Sequence, residues 1–202
     1  MPSPIRLSTA LGLAFALAAA SPLAAAPASA GKAAPADARS WTLDKTASRL
    51  RFRSAFAGTA FEGGFSRFDA QINFDPKNLA GSRAVVTVDL ASAATGDADR
   101  DQTLPTADWF NTAKFPRATF TSTAIRDLGG GRYQASGNLS LKGVTKPVTL
   151  PFTLQIQGNT ARMNGQVVIN RSQFGVGQGQ FAGADTIPHE VTVTIAVLAR
   201  AR

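Results

Sequence analysis

The sequence predicts an all-β domain of eight antiparallel strands, closed as a barrel or stacked as a sandwich, with a short helical insertion between the third and fourth strands. Three observations predict it. Apolar residues alternate with polar ones at a period of two along most of the chain, as strands with unlike faces require. Turn-forming clusters separate the alternating runs. Only residues 95–115 lack the alternation and leave room for helical turns.

The chain opens with a leader. Arg6 precedes an apolar run, Leu7 to Ala20, and Ala28-Ser29-Ala30 is a small-x-small cleavage site. This is the layout of a secretory signal peptide over residues 1–30. Cleavage after Ala26 is the second choice, and the run is shorter than the ~20 residues of a membrane-spanning helix. Removing 30 of the 202 residues leaves 172, enough for one domain with a sizeable core. Residues 31–40, rich in Ala and Pro, read as a flexible lead-in to a single domain over 41–202. The expected localisation is periplasmic.

The first strand is expected near 48–57, where Leu50, Phe52 and Phe56 share a parity opposite Arg49, Arg51 and Arg53. The second, 64–74, sets Phe68, Ala70, Ile72 and Phe74 against Asp69, Gln71 and Asn73. Asp75-Pro76-Lys77-Asn78 then turns the chain into a third strand, 82–90. After the insertion come strands at 118–127 and 132–141, joined through Gly129-Gly130-Gly131. The strand at 147–157 presents Val148, Leu150, Phe152, Leu154 and Ile156 on one face. Gly158-Asn159 leads to 160–170, and a last strand, 189–199, alternates Val191, Val193, Ile195 and Val197 with threonines. Closure would remove exposed edges, and eight strands can enclose a ligand. Period alone leaves open whether the apolar face points inward or outward to lipid.

Composition narrows the chemistry. There is no Cys, so the core must hold without disulfides, and no lipid or haem can be attached through sulfur. One His, His189, is too few for a usual transition-metal site, so no metal is expected. The 21 basic residues exceed the 13 acidic ones. That excess reads either as a solvated basic surface or as attraction to anionic lipid surfaces, including transient membrane contact. No basic-aromatic motif supports nucleic acid binding.

Thirteen Phe against one Tyr is an unusual balance. The rings read either as ordinary core or as the lining of an apolar cavity. Asp99, Arg100, Asp101 and Asp108 place both charges near the insertion. Caps and salt bridges account for them better than acid–base catalysis does, since no His or Cys lies nearby. A small hydrolase or isomerase using Asp101 or Asp108 is the enzymatic alternative. No nucleophile elbow and no phosphate loop is present, although Gly175, Gly177 and Gly179 alternate.

An ordered set of landmarks runs through the domain: Trp41-Thr42-Leu43-Asp44, Gly64-Phe65-Ser66-Arg67-Phe68, Phe74-Asp75-Pro76, Arg100-Asp101, Asp108-Trp109-Phe110 and Phe115-Pro116. Gly137-Asn138-Leu139-Ser140-Leu141-Lys142-Gly143 and Asn170-Arg171 with Phe174-Gly175 complete it. The set resembles the YceI-like family of bacterial periplasmic proteins across nearly all of 41–199. The resemblance implies an extended lipocalin-like barrel that binds a long isoprenoid lipid or quinone-like amphiphile, with no catalytic residue and no other cofactor. It favours a pocket lined by Phe52, Phe56, Phe65, Phe68, Ile72 and Phe74 from the first strands. Leu104, Trp109, Phe110, Phe115 and Phe120 would add a flap, and Phe152, Phe174 and Val176 the remaining wall. Arg53 and Arg171 are candidates for an anionic head group. A homodimer is left open.

Overall fold

The structure, a computed structural model, describes residues 38–202; the expected signal peptide and most of the lead-in lie outside them. The strands are β1 (Ser40–Leu43), β2 (Arg49–Phe56), β3 (Thr59–Phe65), β4 (Phe68–Asn73), β5 (Arg83–Asp89), β6 (Ala93–Ala94), β7 (Arg117–Gly129), β8 (Arg132–Leu141), β9 (Val144–Gln157), β10 (Thr160–Asn170) and β11 (Glu190–Ala201). One short helix, α1 (Ala98–Thr103), sits in the insertion.

These eleven segments form eight walls. β1 and β2 are one strand bent at 44–48, β3 and β4 one strand broken at Ser66 and Arg67, and β5 and β6 one strand interrupted by a 3₁₀ turn at Leu90–Ser92. All neighbours pair antiparallel, and β1 pairs with both β4 and β11, so the ring closes. Closure leaves no edge in this half of the barrel, as an eight-stranded all-β fold allows.

The bends have local causes. The Asp44 carboxylate accepts from the backbone N–H of Thr46 and Ala47, each at 3.1 Å, and turns the chain off its strand. Ser48, 2% exposed, then repairs the interrupted ladder: its hydroxyl accepts from Leu198 N at 3.0 Å. β11 spans the bend, pairing Arg49–Arg53 with 192–196 and Trp41–Leu43 with 199–201.

The second expected strand is corrected at its start. The chain turns at Ala57 and Gly58, whose φ values are +46° and +80°, and pairs again from Thr59. Two consecutive positive φ angles mark the tight hairpin turn that suits strand twist. Ala-Gly is a poor sequence signal for it, because Ala rarely takes this conformation.

β7 carries a register shift between Ser122 and Ala124. One extra residue lets Phe120 and Ile125, five apart, both face inward. β9 pairs with β8 over Val144–Thr153 but with β10 only from Phe152 on. Pro147 and Pro151 lack the N–H that continued pairing uses.

The apolar parity of the strands faces inward, and Thr and Arg occupy the outer face, with Val168 a half-exposed exception. Of the two directions the period leaves open, the fold adopts the inward one. One end of the barrel is plugged by Trp41, Phe74 and Tyr133, packed on Ala161 and Ala199. Phe74 meets Tyr133 edge-on at 5.5 Å, Phe152 stacks on Tyr133 at 5.6 Å, and Trp41 Nε1 donates to Phe74 O at 2.9 Å.

Candidate functional site

Above that plug the barrel encloses a cavity of about 640 Å³. Along β11 its wall is Val191, Val193, Ile195, Val197 and Ala199, every second residue of the strand. At ~3.3 Å per residue this run covers about 26 Å of strand, so the cavity is long rather than round. Two strands away, Val148, Leu150, Phe152 and Leu154 do the same from β9. The volume lies in the range of small-molecule sites and the walls are almost wholly hydrocarbon.

Glycines make room for the rings that shape it. A Cβ on Gly63 would run into the Phe52 ring, and one on Gly137 would meet Phe120 and Thr121 O. Phe52, Phe65 and Phe110 then form a tilted series, with ring centres 5.5 and 6.0 Å apart.

Polar groups gather at the opposite end from the plug. The insertion 95–116 and the loop 171–189 form this rim and are tied to each other and to the hairpins. Gly177 N and Gln178 N donate to Asp108 O at 2.8 and 2.9 Å. Lys142 Nζ donates to Gly175 O at 2.5 Å, and Ala57 N to Thr186 O at 2.8 Å. Burial lowers the Lys142 ammonium below its ordinary value, with Asp108 opposing. Ser54, Thr95, Asp97, Arg100 and Thr103 line the cavity here. Two buried polar atoms on lining residues, Ser54 Oγ and Trp109 Nε1, have no hydrogen-bond partner among the described residues.

The charges of the insertion are structural. Asp97 caps α1 through Arg100 N at 3.0 Å, and Arg100 lies over the Phe61 ring at 4.7 Å. Asp101 Oδ1 accepts from Thr95 N and Thr95 Oγ1, both at 2.7 Å. The Thr95 hydroxyl bond is the main reason the Asp101 carboxyl is held below its ordinary value. A carboxylate stabilised in its charged form is a poor general acid. Among the described residues no group of three or more metal-ligating side chains comes together.

Arg171 is 3% exposed and faces carbonyls, not a carboxylate. Its guanidinium donates to the backbone oxygens of Val176, Gly177, Phe181, Gly183, Ile187 and Pro188 at 2.7–3.1 Å. Burial lowers its pKa, but a guanidinium stays charged at any ordinary pH. All of its donors are occupied in holding the rim loop, so it is a staple of the fold. Arg53 lies on the exposed outer face of β2. Neither argues for an anionic head group.

Of the expected lining residues, Phe52, Phe56, Phe65, Phe68, Ile72, Phe74, Leu104, Trp109, Phe110, Phe120, Phe152 and Val176 face this cavity. Phe115 does not. Its ring lies against Gly143, where a Cβ would come within 2.8 Å, so it holds the insertion to the β8–β9 turn. Phe174 does not line the cavity either: it sits 2% exposed in the 3₁₀ turn Arg171–Phe174. The valines and Ile195 of β11, with Phe61 and Ile187, also line the cavity and are not among the expected residues. Their signal was the inward parity itself, which marks aliphatic wall as readily as aromatic wall.

The comparisons agree with this geometry. A family model for the YceI-like domain matches residues 41–199. Protein YceI of Escherichia coli O157:H7 is 42% identical over 134 residues, covering 65% of this chain and 68% of that protein. The crystal structure of Burkholderia cenocepacia BcnA superposes with a TM-score of 0.74 at 34% identity, over 77% of this chain and 98% of that one. A polyisoprenoid-binding domain from Saccharophagus degradans shares the fold, with a TM-score of 0.66 at 21% identity, over 81% and 99% of the two chains. With the matched region running through all eight walls of the barrel, from Trp41 of the plug to Ala199 in β11, the chain belongs to the YceI-like family.

Proposed function

We propose that the protein is a non-enzymatic, exported binding or carrier protein that holds a long-chain isoprenoid lipid or quinone in its barrel. The observation that carries this is the cavity: about 640 Å³, elongated, walled by hydrocarbon along the length of β11, with its polar groups gathered at the rim apart from Arg83 near the plug. The tail extends toward Trp41 and Phe74, and the head remains at the rim near Ser54 and Trp109. Trp109 Nε1 and Ser54 Oγ favour a head group that accepts hydrogen bonds, such as a quinone carbonyl. The occupied donors of Arg171 argue against recognition of phosphate there.

The energetics fit a carrier. Each buried CH₂ gains ~0.8 kcal/mol over water, so a long tail does not travel free. The donor, however, is a bilayer as apolar as the cavity. Transfer between them is nearly balanced, and contacts at the rim decide loading. The enzymatic alternative has less support, since the Asp101 carboxylate is bonded to Thr95 in its charged form and Asp108 meets the rim loop through its backbone oxygen. Native mass spectrometry of the purified protein tests the proposal. A long-chain apolar molecule at one per chain is expected. Protein that is empty, and that takes up no isoprenoid from lipid mixtures, overturns it.

A further inference from the structure

The net positive charge is not spread evenly over the barrel. The plugged end consists of the β7–β8 and β9–β10 hairpins, the β4–β5 connection and the two ends of the described chain. Arg126 and Arg132 flank the first hairpin and Arg162 follows the second. Lys77 lies on the β4–β5 connection, Arg83 at the start of β5, and Arg39, Arg200 and Arg202 on the chain ends. Asp75 and Asp127 are the only acidic residues on these segments, with Asp44 further up the wall.

The four salt bridges among the described residues all lie elsewhere: Lys45–Asp69, Arg51–Glu62, Arg67–Asp89 and Arg100–Asp97. At the rim, acids and bases nearly balance, with Asp97, Asp99, Asp108, Asp185 and Glu190 among the acids. The molecule is therefore a barrel with one nearly neutral rim end and one plugged end whose cations have no anionic partner within 4 Å.

The closed end also carries an apolar tip. Leu128 is 50% exposed, one of three large hydrophobic residues so exposed among those described. It sits on the β7–β8 hairpin between Arg126 and Arg132, beside Gly129, Gly130 and Gly131, all at positive φ. A half-exposed Leu on a hairpin that carries Arg126 and Arg132, with Asp127 its one acid, matches the interface of an anionic bilayer, where acyl chains take the apolar side chain and head groups take the excess positive charge.

We propose that this closed end docks on an anionic lipid bilayer through Arg126, Leu128, Arg132 and the neighbouring cations, with the cavity mouth facing away from that surface. The contact does not depend on what the cavity holds, so it stands or falls separately from the ligand. Flotation of the leaderless protein with vesicles tests it. The protein is expected to float with phosphatidylglycerol-rich vesicles, to remain behind with pure phosphatidylcholine, and to be released as salt rises. Arg126→Gln with Arg132→Gln is expected to lower partitioning about tenfold or more. Arg53→Gln, on the outer wall, is expected to leave it unchanged. A Leu128→Trp variant is expected to be quenched by brominated acyl chains. Equal partitioning to both vesicle types, or no response to the hairpin double variant, overturns the proposal. So does equally tight binding to polyglutamate with no quenching at position 128, which assigns the surface to an acidic protein instead.

Discussion

Arg171 shows how one side chain can close an apolar site without entering its chemistry. Six carbonyls from a loop of irregular backbone converge on one guanidinium, and Gly177 lies so close that a Cβ there would meet Nη1. Lysine has neither the number of donors nor their planar spread. Arg171→Lys is expected to destabilise the protein by about 2–4 kcal/mol in urea unfolding, because several buried carbonyls lose charge-assisted bonds. Trp109→Phe is a subtler change. It keeps an aromatic ring beside Phe181, whose ring centre lies 5.4 Å from that of Trp109, and removes the unpartnered N–H together with part of the indole. Quinone affinity is expected to fall about fivefold, as one lost hydrogen bond of ~1 kcal/mol implies, with little change in melting temperature. A fluorescence titration reads the first quantity and a thermal melt the second.

Asp101 gives the pH dependence at the same scale. Its folded pKa is depressed, chiefly by the Thr95 hydroxyl. Its contribution to stability is therefore complete above the unfolded value, near 3.8, and is lost as pH falls through the folded value. Thr95→Val is expected to bring the Asp101 pKa back toward its ordinary value in an NMR titration.

At the scale of elements, glycines and bulges set the wall. Gly137 faces Phe120 and Thr121 O across β7, with no space for a side chain. Gly137→Val is expected to cost about 1–3 kcal/mol through overpacking, measurable by chemical denaturation. The eight strands were legible because most of them bury one face and wet the other, so the alternation survives in sequence. The Ala57-Gly58 hairpin was not, since its turn residues carry no strong signal and the strand after it, Thr59–Phe65, lacks clean alternation. The site was legible in its aromatic members for the same reason as the strands. Phe115 and Phe174 show where that reading ends. A phenylalanine packed on Gly143, or inside a 3₁₀ turn, has the same local sequence character as one facing a cavity. Arg171 was legible as a landmark, but its role depends on carbonyls brought together only by the folded loop.

At the scale of the whole molecule the barrel has two unlike ends. Trp41, Phe74 and Tyr133 stop one of them, and the insertion and rim loop fold over the other. Between them lies an apolar space that ordinary cores fill with their own side chains. The account's central claim is that this space belongs to a lipid tail, and native mass spectrometry of cavity-filled variants tests it most directly. Met163→Trp and Val193→Trp place new bulk on the inner face of two neighbouring strands, β10 and β11. The account predicts that the wild-type protein carries one long-chain apolar molecule, and that these variants stay folded, lose it, and fail to take it up again from lipid mixtures. Folded variants that retain the same molecule in the same amount would contradict the claim, for the tail would then lie outside the barrel.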